Sequence, residues 1–267
     1  MSNLELDLYE EMAKFPIISP HGHVDANLLA RNENWIDAVE LLIRPDHYIT
    51  RMLFSQGITY EELRKPSLDV WKMFCSNWRL FRGTPTSLWL KEILYSLFDI
   101  EDLNEISPEK SFAKINERLA SPEFRPLSLF KRFNIEILAT TDSTNDHLES
   151  HKQLSQMNLS GRIIPTFRPD DVTDPARKDF KDALDKLGAN SFSQLITKLR
   201  ERREHFISLG ATATDHGIFS PQTLNYSEAE KENLFKDVLR GQRFAEYRAV
   251  RSEEHTSELQ SLRHLVC

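Results

Sequence analysis

An alternation of β-rich runs with amphipathic helices in the second half of the chain constrains the fold more than any other sequence feature. Apolar runs that contain isoleucine and threonine lie at residues 135–141 and 162–167, and a helical pattern follows each of them. At residues 180–187 and 195–206, apolar side chains recur at helical spacing. Strands that alternate with helices form a parallel sheet covered by helices, so the sequence predicts an α/β fold.

The first half of the chain contains one predicted strand and a long helical block. Two prolines confine the apolar run at residues 15–20, which favours a short strand over a helix, and a helix is predicted before it at residues 3–14. Residues 26–131 are helical in pattern. A block of roughly a hundred residues exceeds an ordinary connection between strands. We therefore interpret it as a helical insertion after strand 1.

One helix of this block has a clear start and an apolar stripe. Thr84 is followed by Pro85, which is typical of an N-cap with proline at the first helical position. Trp89, Ile93 and Leu97 then recur at helical spacing. We predict a helix on which these three residues form an apolar stripe.

The number of strands predicts an incomplete sheet. With a weaker strand at residues 211–214 the count is about four, whereas a closed (β/α)8 barrel needs eight, and an open sheet would leave its last strand as an uncovered edge. Residues 251–267 add no strand, because they begin with RSEEHTSELQS, which resembles the translation of a sequencing adapter. We predict one domain over residues 1–250, with its insertion at about 26–131, and a non-native tail at 251–267.

Composition and charge exclude several classes of function. Asp and Glu outnumber Lys and Arg by 41 to 34, a formal net charge of −7, which disfavours binding to nucleic acid phosphates. The most aliphatic stretch, residues 38–43, is interrupted by Glu40 and is too short to span a bilayer, and the acidic N-terminus lacks the layout of a signal peptide. Cys75 and Cys267 provide no disulfide framework. We predict a cytoplasmic protein with neither nucleic acid nor membrane as a partner.

Ionisable side chains follow each predicted strand. His21 and His23 follow the first strand, Asp142 the second, Arg168 the third and Asp215 the fourth. Functional groups of parallel α/β proteins gather where the strands end, so we expect these side chains to converge. Two imidazoles at i and i+2 on one face can hold a divalent metal, typically zinc. A pair of turn histidines bonded to the backbone would give the same spacing.

Three other side chains have both a functional and a structural interpretation. The Arg168 guanidinium suits a substrate carboxylate, and the alternative is an ion pair with Asp170 or Asp171. His47 and Tyr48 stand at a predicted helix start, where they could position or transfer a proton or serve the structure alone.

Three further residues are interpreted as structural. His147 and His151 lie four residues apart on a helix predicted at about 145–157, a spacing that fits a metal site but is more typical of a solvated helix face. Cys75 is interpreted as a buried or partly buried residue without a chemical role.

Five segments together resemble one enzyme family. Along the chain they read FPIISPHGHVD, RPDHYITRMLFSQGI, FRGTPTSLWLKEIL, ATTD and IIPTFRPD, and they are similar to uronate isomerase (glucuronate isomerase), a divergent family of the amidohydrolase superfamily. The resemblance covers residues 5–240. It implies a (β/α)8 TIM barrel of the metal-dependent hydrolase type with a helical insertion after strand 1, in proteins nearly twice as long as this chain.

The resemblance also implies roles for individual residues. His21 and His23 correspond to ligands of a divalent metal, which we expect to be zinc. His47 and Tyr48 correspond to residues that contact the substrate and take part in catalysis, with the tyrosine near the proton-transfer atoms. Arg168 corresponds to a substrate-binding residue. The family's metal-binding aspartate and its neighbouring arginine follow the eighth strand, which lies beyond residue 250.

The implied reaction interconverts an aldose with a ketose: D-glucuronate with D-fructuronate, and D-galacturonate with D-tagaturonate. It needs a base at C2, which is the missing aspartate or a hydroxide on the metal, a proton donor at the sugar oxygens, and a cation for the C6 carboxylate. Asp142, Asp215 and His216 receive no role. We expect residues 1–267 to be an inactive fragment and the complete protein to act on a small-molecule uronate. The sequence leaves open whether the protein forms a homo-oligomer. The alternatives are a metal-dependent amidohydrolase and a non-catalytic binding module.

Overall fold

The computed structural model describes residues 3–217 and 226–247, and the chain divides into two units. One comprises Met1–Arg31 and Phe133–Cys267, and the other comprises Asn32–Arg132. We call the first the sheet unit, because it contains every strand found in the described residues. The second is the helical unit, because each described element in it is a helix.

Parallel strands form the centre of the sheet unit. β1, β2 and β4 pair side by side in that order, β3 pairs with β5, and every pair is parallel. The strands are β1 Ile17–Ser19, β2 Ile135–Ala139, β3 Asp142–Ser143, β4 Arg162–Ile164 and β5 Phe167–Arg168. The prediction of an α/β fold with a parallel sheet is confirmed.

The hydrogen-bond ladder continues through the breaks after β2 and β4. The backbone N–H of Thr140 donates to Ile164 O and that of Asp142 donates to Thr166 O, each at 3.0 Å. Side chains alternate between the two faces of a strand. Thr140 and Asp142 therefore share one face of this ladder, and Thr141 lies on the opposite face.

The weaker strand predicted at residues 211–214 is present only as an isolated parallel bridge. Among the described residues, this segment forms a single parallel bridge between Thr214 and Phe167, beside a 3.0 Å bond from Asp215 N–H to Phe167 O. Its side chains are small, and Thr212 and Ala213 are exposed. A longer ladder would therefore bury little apolar surface.

A glycine sets the closest backbone approach within the sheet. Gly161 precedes β4 and lies against β2: a methyl group in its place would stand 2.6 Å from the Glu136 carbonyl oxygen and closer still to that of Ile135. A β-carbon fits here only if the backbones of the two strands move apart. The contact brings β4 beside β2 where their pairing begins, at Ile137 and Arg162.

The other regular elements of the described residues are helices, and none of these is both long and apolar enough to cross a membrane. Helices α3 to α8 belong to the helical unit and the others to the sheet unit. In chain order they are α1 Asn3–Met12, α2 Ala26–Arg31, α3 Ala38–Leu42, α4 His47–Phe54, α5 Ser67–Ser76, α6 Pro85–Phe98, α7 Pro108–Leu119, α8 Pro126–Arg132, α9 Glu149–Ser155, α10 Asp170–Thr173, α11 Phe180–Leu187, α12 Phe192–Ser208 and α13 Glu228–Leu239, with short 3₁₀ helices at Glu62–Arg64, Trp78–Phe81 and Pro122–Phe124.

Helix α6 begins as predicted, and two of the three residues of its predicted stripe pack against the core. Thr84 caps it by accepting a bond from Ser87 N–H, and proline occupies the first turn. Its buried apolar residues are Leu90, Leu94 and Phe98. Ile93 and Leu97 of the predicted stripe are partly buried against the core, whereas Trp89 is 58% exposed. The helix carries apolar residues around most of its circumference, so its spacing alone fits more than one face.

Each unit has its own apolar core. In the helical unit, Trp71 and Phe74 of α5 are completely buried, and the Trp71 indole N–H donates to Ser111 Oγ at 2.9 Å. In the sheet unit, α11 and α12 bury the apolar faces predicted for them, and Phe206 of α12 contacts Phe167 of β5 with ring centroids 5.0 Å apart.

Candidate functional site

The two predicted metal ligands follow β1 in the sheet unit. β1 ends at Ser19, so His21 and His23 lie in an irregular segment after the strand rather than on it. Their rings meet edge to face, with centroids 4.9 Å apart and an interplanar angle of 89°. Both residues are exposed. The structure therefore brings the two imidazoles together at the carboxyl end of a parallel strand.

A hydroxyl group from the end of β2 holds the segment between these histidines. Thr141 Oγ1 donates to the carbonyl oxygen of Gly22 at 2.7 Å. Gly22 also approaches the β2 backbone closely, because a methyl group in its place would lie 3.1 Å from Ala139 O. The ends of β1 and β2 are thus joined next to the imidazole pair.

Arg168 is already bonded to two aspartates. Its Nε donates to Asp170 Oδ2 at 2.8 Å and its Nη1 donates to Asp215 Oδ2 at 3.0 Å. Asp215 Oδ2 also lies 3.9 Å from His21 Nδ1. The ion pair with Asp170, one of the two interpretations of Arg168, is therefore present. It leaves three of the five guanidinium N–H groups outside these two bonds.

The imidazole pair fits only part of a metal's coordination shell. Zinc takes three or four protein ligands, and nitrogen from two histidines is a common contribution. Within residues 3–217 and 226–247, no group of three or more His, Cys, Asp or Glu side chains is placed to hold a metal. Asp215 lies near His21, but it is bonded to Arg168. The described residues therefore offer two ligands and not a complete site.

His47 and Tyr48 belong to the helical unit and open helix α4. Asp46 caps the helix, because its Oδ1 accepts bonds from Tyr48 N–H at 2.8 Å and Ile49 N–H at 3.3 Å. The rings of His47 and Tyr48 lie 4.2 Å apart between centroids, and both side chains are exposed. The cap explains why these two residues lie at a defined helix start.

A cleft of about 560 Å³ lies beside Tyr48 in the helical unit. Arg51, one turn further along α4, and Trp89 of α6 line it together with Tyr48. Among the described residues, Arg51 forms no hydrogen bond or ion pair through its guanidinium. The cleft thus combines two aromatic rings with an unpaired cation.

The solvated helix face predicted for His147 and His151 is wrong for His151. Leu148 adopts a left-handed conformation (φ 57°), so α9 starts only at Glu149 and leaves the exposed His147 outside. His151 is 2% exposed, in line with the buried Leu148 and Leu154. Leu148, His151 and Leu154 follow one another at intervals of three residues. This spacing is the sequence signal that could have identified His151 as buried.

The buried His151 contacts the end of the second strand. Thr140 Oγ1 lies 2.8 Å from His151 Nε2 and donates to Asp142 Oδ2 at 2.6 Å. Burial lowers the pKa of His151 and raises the pKa of Asp142. In the helical unit, burial likewise raises the pKa of Cys75 to about 12, in agreement with its interpretation as an unreactive residue.

Comparisons with known proteins point to one family. A sequence profile described as glucuronate isomerase matches residues 1–262, and so extends into the segment predicted to be non-native. The uronate isomerase of Rhizobium meliloti (strain 1021) is 40% identical over 94% of this chain and 57% of its own length. That of Mesorhizobium japonicum is 41% identical over 90% of this chain and 55% of its own length.

Solved structures agree with these matches. The crystal structure of glucuronate isomerase from Caulobacter crescentus superposes with a TM-score of 0.85 at 35% identity, over 91% of this chain and 55% of that one. The uronate isomerase of Thermotoga maritima has the same TM-score at 24% identity, which supports the fold alone. The chain spans little more than half the length of these relatives.

Proposed function

Because the chain belongs to the glucuronate isomerase family, we propose that it forms the amino-terminal part of an enzyme that interconverts D-glucuronate with D-fructuronate, and D-galacturonate with D-tagaturonate. The observation that carries this proposal is the convergence of His21, His23 and the Arg168–Asp215 ion pair at the ends of parallel strands. Active sites of parallel barrels lie at this end of the strands.

We propose a (β/α)8 barrel of the metal-dependent hydrolase type as the fold of the complete protein. In support, β1, β2 and β4 are parallel neighbours in the sheet, and β3 and β5 continue the ladder of β2 and β4 past their breaks, so the strands follow one another as consecutive barrel strands do. In this proposal residues 1–250 are part of one barrel domain, and the helical block at about 26–131 is an insertion after strand 1. Residues 251–267, proposed as a non-native tail, lie outside the described residues.

The proposed chemistry assigns a task to each predicted residue. His21 and His23 would hold a divalent metal, zinc in our proposal, which supplies Lewis acidity toward substrate oxygens. Tyr48 offers a phenolic O–H that can donate or take back a proton at a sugar oxygen, with His47 beside it; such acid–base catalysis typically contributes about 10²- to 10⁴-fold. Arg168 would bind the C6 carboxylate through N–H groups that Asp170 and Asp215 leave unused.

An activity assay tests this proposal. Residues 1–250 are joined to the carboxyl-terminal part of the Rhizobium meliloti relative, and conversion of D-glucuronate is followed for this protein and for residues 1–267 alone. We expect turnover by the completed protein and none by the chain alone. A well-folded, metal-loaded completed protein without turnover would count against the isomerase proposal, and rapid turnover by residues 1–267 would refute the need for the later strands.

The role of Arg168 has its own test in the completed protein. Arg168→Met should weaken uronate binding or turnover strongly while the zinc content stays the same, because His21 and His23 are unchanged. The matched control is Arg177→Met, since Arg177 pairs with the exposed Asp179 and not with the strand ends. Unchanged kinetics in Arg168→Met would make Arg168 a purely structural partner of its aspartates.

The remaining parts of the proposal concern location and partners. We propose a cytoplasmic enzyme with a small-molecule uronate as its substrate and with neither nucleic acid nor membrane as a partner. The net charge of −7 and the cysteine content support this. Light scattering of the completed protein would decide between a monomer and a homo-oligomer.

A further inference from the structure

Three polar side chains beside the end of the second strand form a buried chain that the proposed mechanism does not use. Thr140 Oγ1 lies 2.6 Å from Asp142 Oδ2 and 2.8 Å from His151 Nε2. The exposed fractions are 1% for Thr140, 2% for the His151 side chain and 10% for the Asp142 side chain. Buried polar groups are costly unless they form hydrogen bonds. We therefore read each of these two contacts as a hydrogen bond, which needs one donated proton.

The single hydroxyl proton of Thr140 sets the direction of the chain. Three groups surround this hydroxyl, and one of them, Ile164 O at 3.2 Å, can only accept. An O–H···O distance of 2.6 Å is typical of a bond to an ionised carboxylate, which assigns the proton to the bond with Asp142. The hydroxyl oxygen is then free to accept, and His151 Nε2 is the neighbour that can donate.

The electrostatics of the site agree with a neutral imidazole. Burial lowers the pKa of His151, against the opposing effect of the carboxylates of Asp142, Asp146 and Asp25. Burial raises the pKa of Asp142, while the bonds from Thr140 and from the Thr166 backbone lower it. A neutral His151 with its proton on Nε2 completes one continuous chain, from imidazole to hydroxyl to carboxylate.

We propose that His151, acting through Thr140, is a positioning residue that keeps Asp142 ionised and in one orientation at the end of the second strand. The neighbouring strand supports this placement, because Asp142 pairs with Phe167 and Ser143 pairs with Arg168. The inference rests on the proposed function only in taking this strand end as part of the substrate site. It explains the charge and orientation of Asp142, which the sequence motif alone left open.

Nuclear magnetic resonance of residues 1–267 tests the inference. With histidine labelled by ¹⁵N, multiple-bond spectra identify which ring nitrogen carries the proton, and the signal absent from His151→Gln assigns His151. We expect a neutral ring protonated on Nε2. In Thr140→Val, which loses the hydroxyl, the His151 ring should change from the Nε2 form toward a mixture of both neutral tautomers. The pH midpoint at which the Asp142 carboxylate titrates should rise in the same variant. Thr140→Ser should restore both.

Thr144→Val is the matched control. Thr144 is as buried as Thr140, but its hydroxyl is the one buried side-chain group in the described residues without a hydrogen-bond partner. This variant should leave the His151 tautomer and the Asp142 titration unchanged. A wild-type ring protonated on Nδ1 would overturn the inference, even if Thr140→Val failed to fold. So would a Thr140→Val spectrum identical to that of wild type.

These measurements are independent of the proposed function. None of them requires a uronate or turnover, so an inactive completed enzyme would leave the tautomer result standing. Equally, an Nδ1 tautomer in an active enzyme would remove only the role of His151.

Discussion

Replacing Gly161 with alanine should weaken the pairing of β2 with β4. The new methyl group would stand 2.6 Å from Glu136 O, whereas ordinary contact starts at 3.4 Å, so the backbones must separate by at least 0.8 Å (3.4 − 2.6). The obstructing atoms belong to the β2 backbone and cannot rotate away as a side chain would. The displacement falls next to Ile137 and Arg162, where the pairing of the two strands begins.

Two effects of opposite sign decide how much Gly161→Ala changes the free energy of unfolding. Overpacking typically costs about 1–3 kcal/mol. Alanine also restricts the unfolded chain, which stabilises the folded state by about 0.4–1 kcal/mol where the backbone tolerates it, and Gly161 does not have a positive φ. Steric overlap with two carbonyl groups is the larger effect. We expect the free energy of unfolding to fall by about 1–2 kcal/mol, which lowers Tm by about 2–8 °C in a unit of this size.

The assay is thermal unfolding followed by far-ultraviolet circular dichroism. Tryptophan fluorescence is unsuitable, because all four tryptophans lie in the helical unit. Gly217→Ala is the control, since its methyl group would make an ordinary 3.5 Å contact with Asp170 Oδ2 and should change Tm little. A Gly161→Ala protein that melts at or above the wild-type temperature would refute the steric argument.

Three further predictions concern single side chains. Thr144→Val should raise the free energy of unfolding by about 1 kcal/mol in a urea titration, because it removes a buried hydroxyl without a partner; a loss of stability would show that the hydroxyl is bonded. Ser111→Ala should lower it by about 1–3 kcal/mol, read by tryptophan fluorescence, because the indole N–H of the buried Trp71 loses its acceptor; an unchanged midpoint would contradict this. In a Cys267→Ser background, Cys75 should react slowly with a thiol reagent at pH 8 and rapidly in urea, because its pKa is about 12 when folded against 9.0 as the reference value. The unfolded state loses this proton first, so stability should fall as the pH rises from 9 toward 12, and rapid labelling of the folded protein would contradict the burial argument.

The parallel sheet could be predicted because its strands are short apolar runs separated by helices with one apolar face. The exposure of Trp89 on α6 could not be predicted. This helix has leucine, tryptophan and isoleucine on several sides, so helical spacing fits the exposed Trp89 as well as the buried Leu90. The difference is set by tertiary packing, which the local sequence does not specify.

The strand-end histidines could be predicted for a similar reason, since a strand followed by HGH places both rings at one edge of the sheet. The hydrogen bonds between residues far apart in the sequence could not be predicted. Arg168 is bonded to Asp215, 47 positions away, and His151 contacts Thr140, 11 positions away across a turn. The polarity of histidine suggests a solvated position for His151, but Leu148 and Leu154 flank it on the same buried face.

The bond from Thr141 to the Gly22 carbonyl bears on how tightly the proposed site at His21 and His23 would bind a metal cation. Ordering the backbone of one residue costs about 1–2 kcal/mol of conformational entropy, and a ligand that must order its own site loses that amount from its binding free energy. Here the segment between His21 and His23 is fixed when β1 pairs with β2. The entropic cost is therefore borne by folding, so in the proposed metal site a cation would meet a backbone segment that is already ordered.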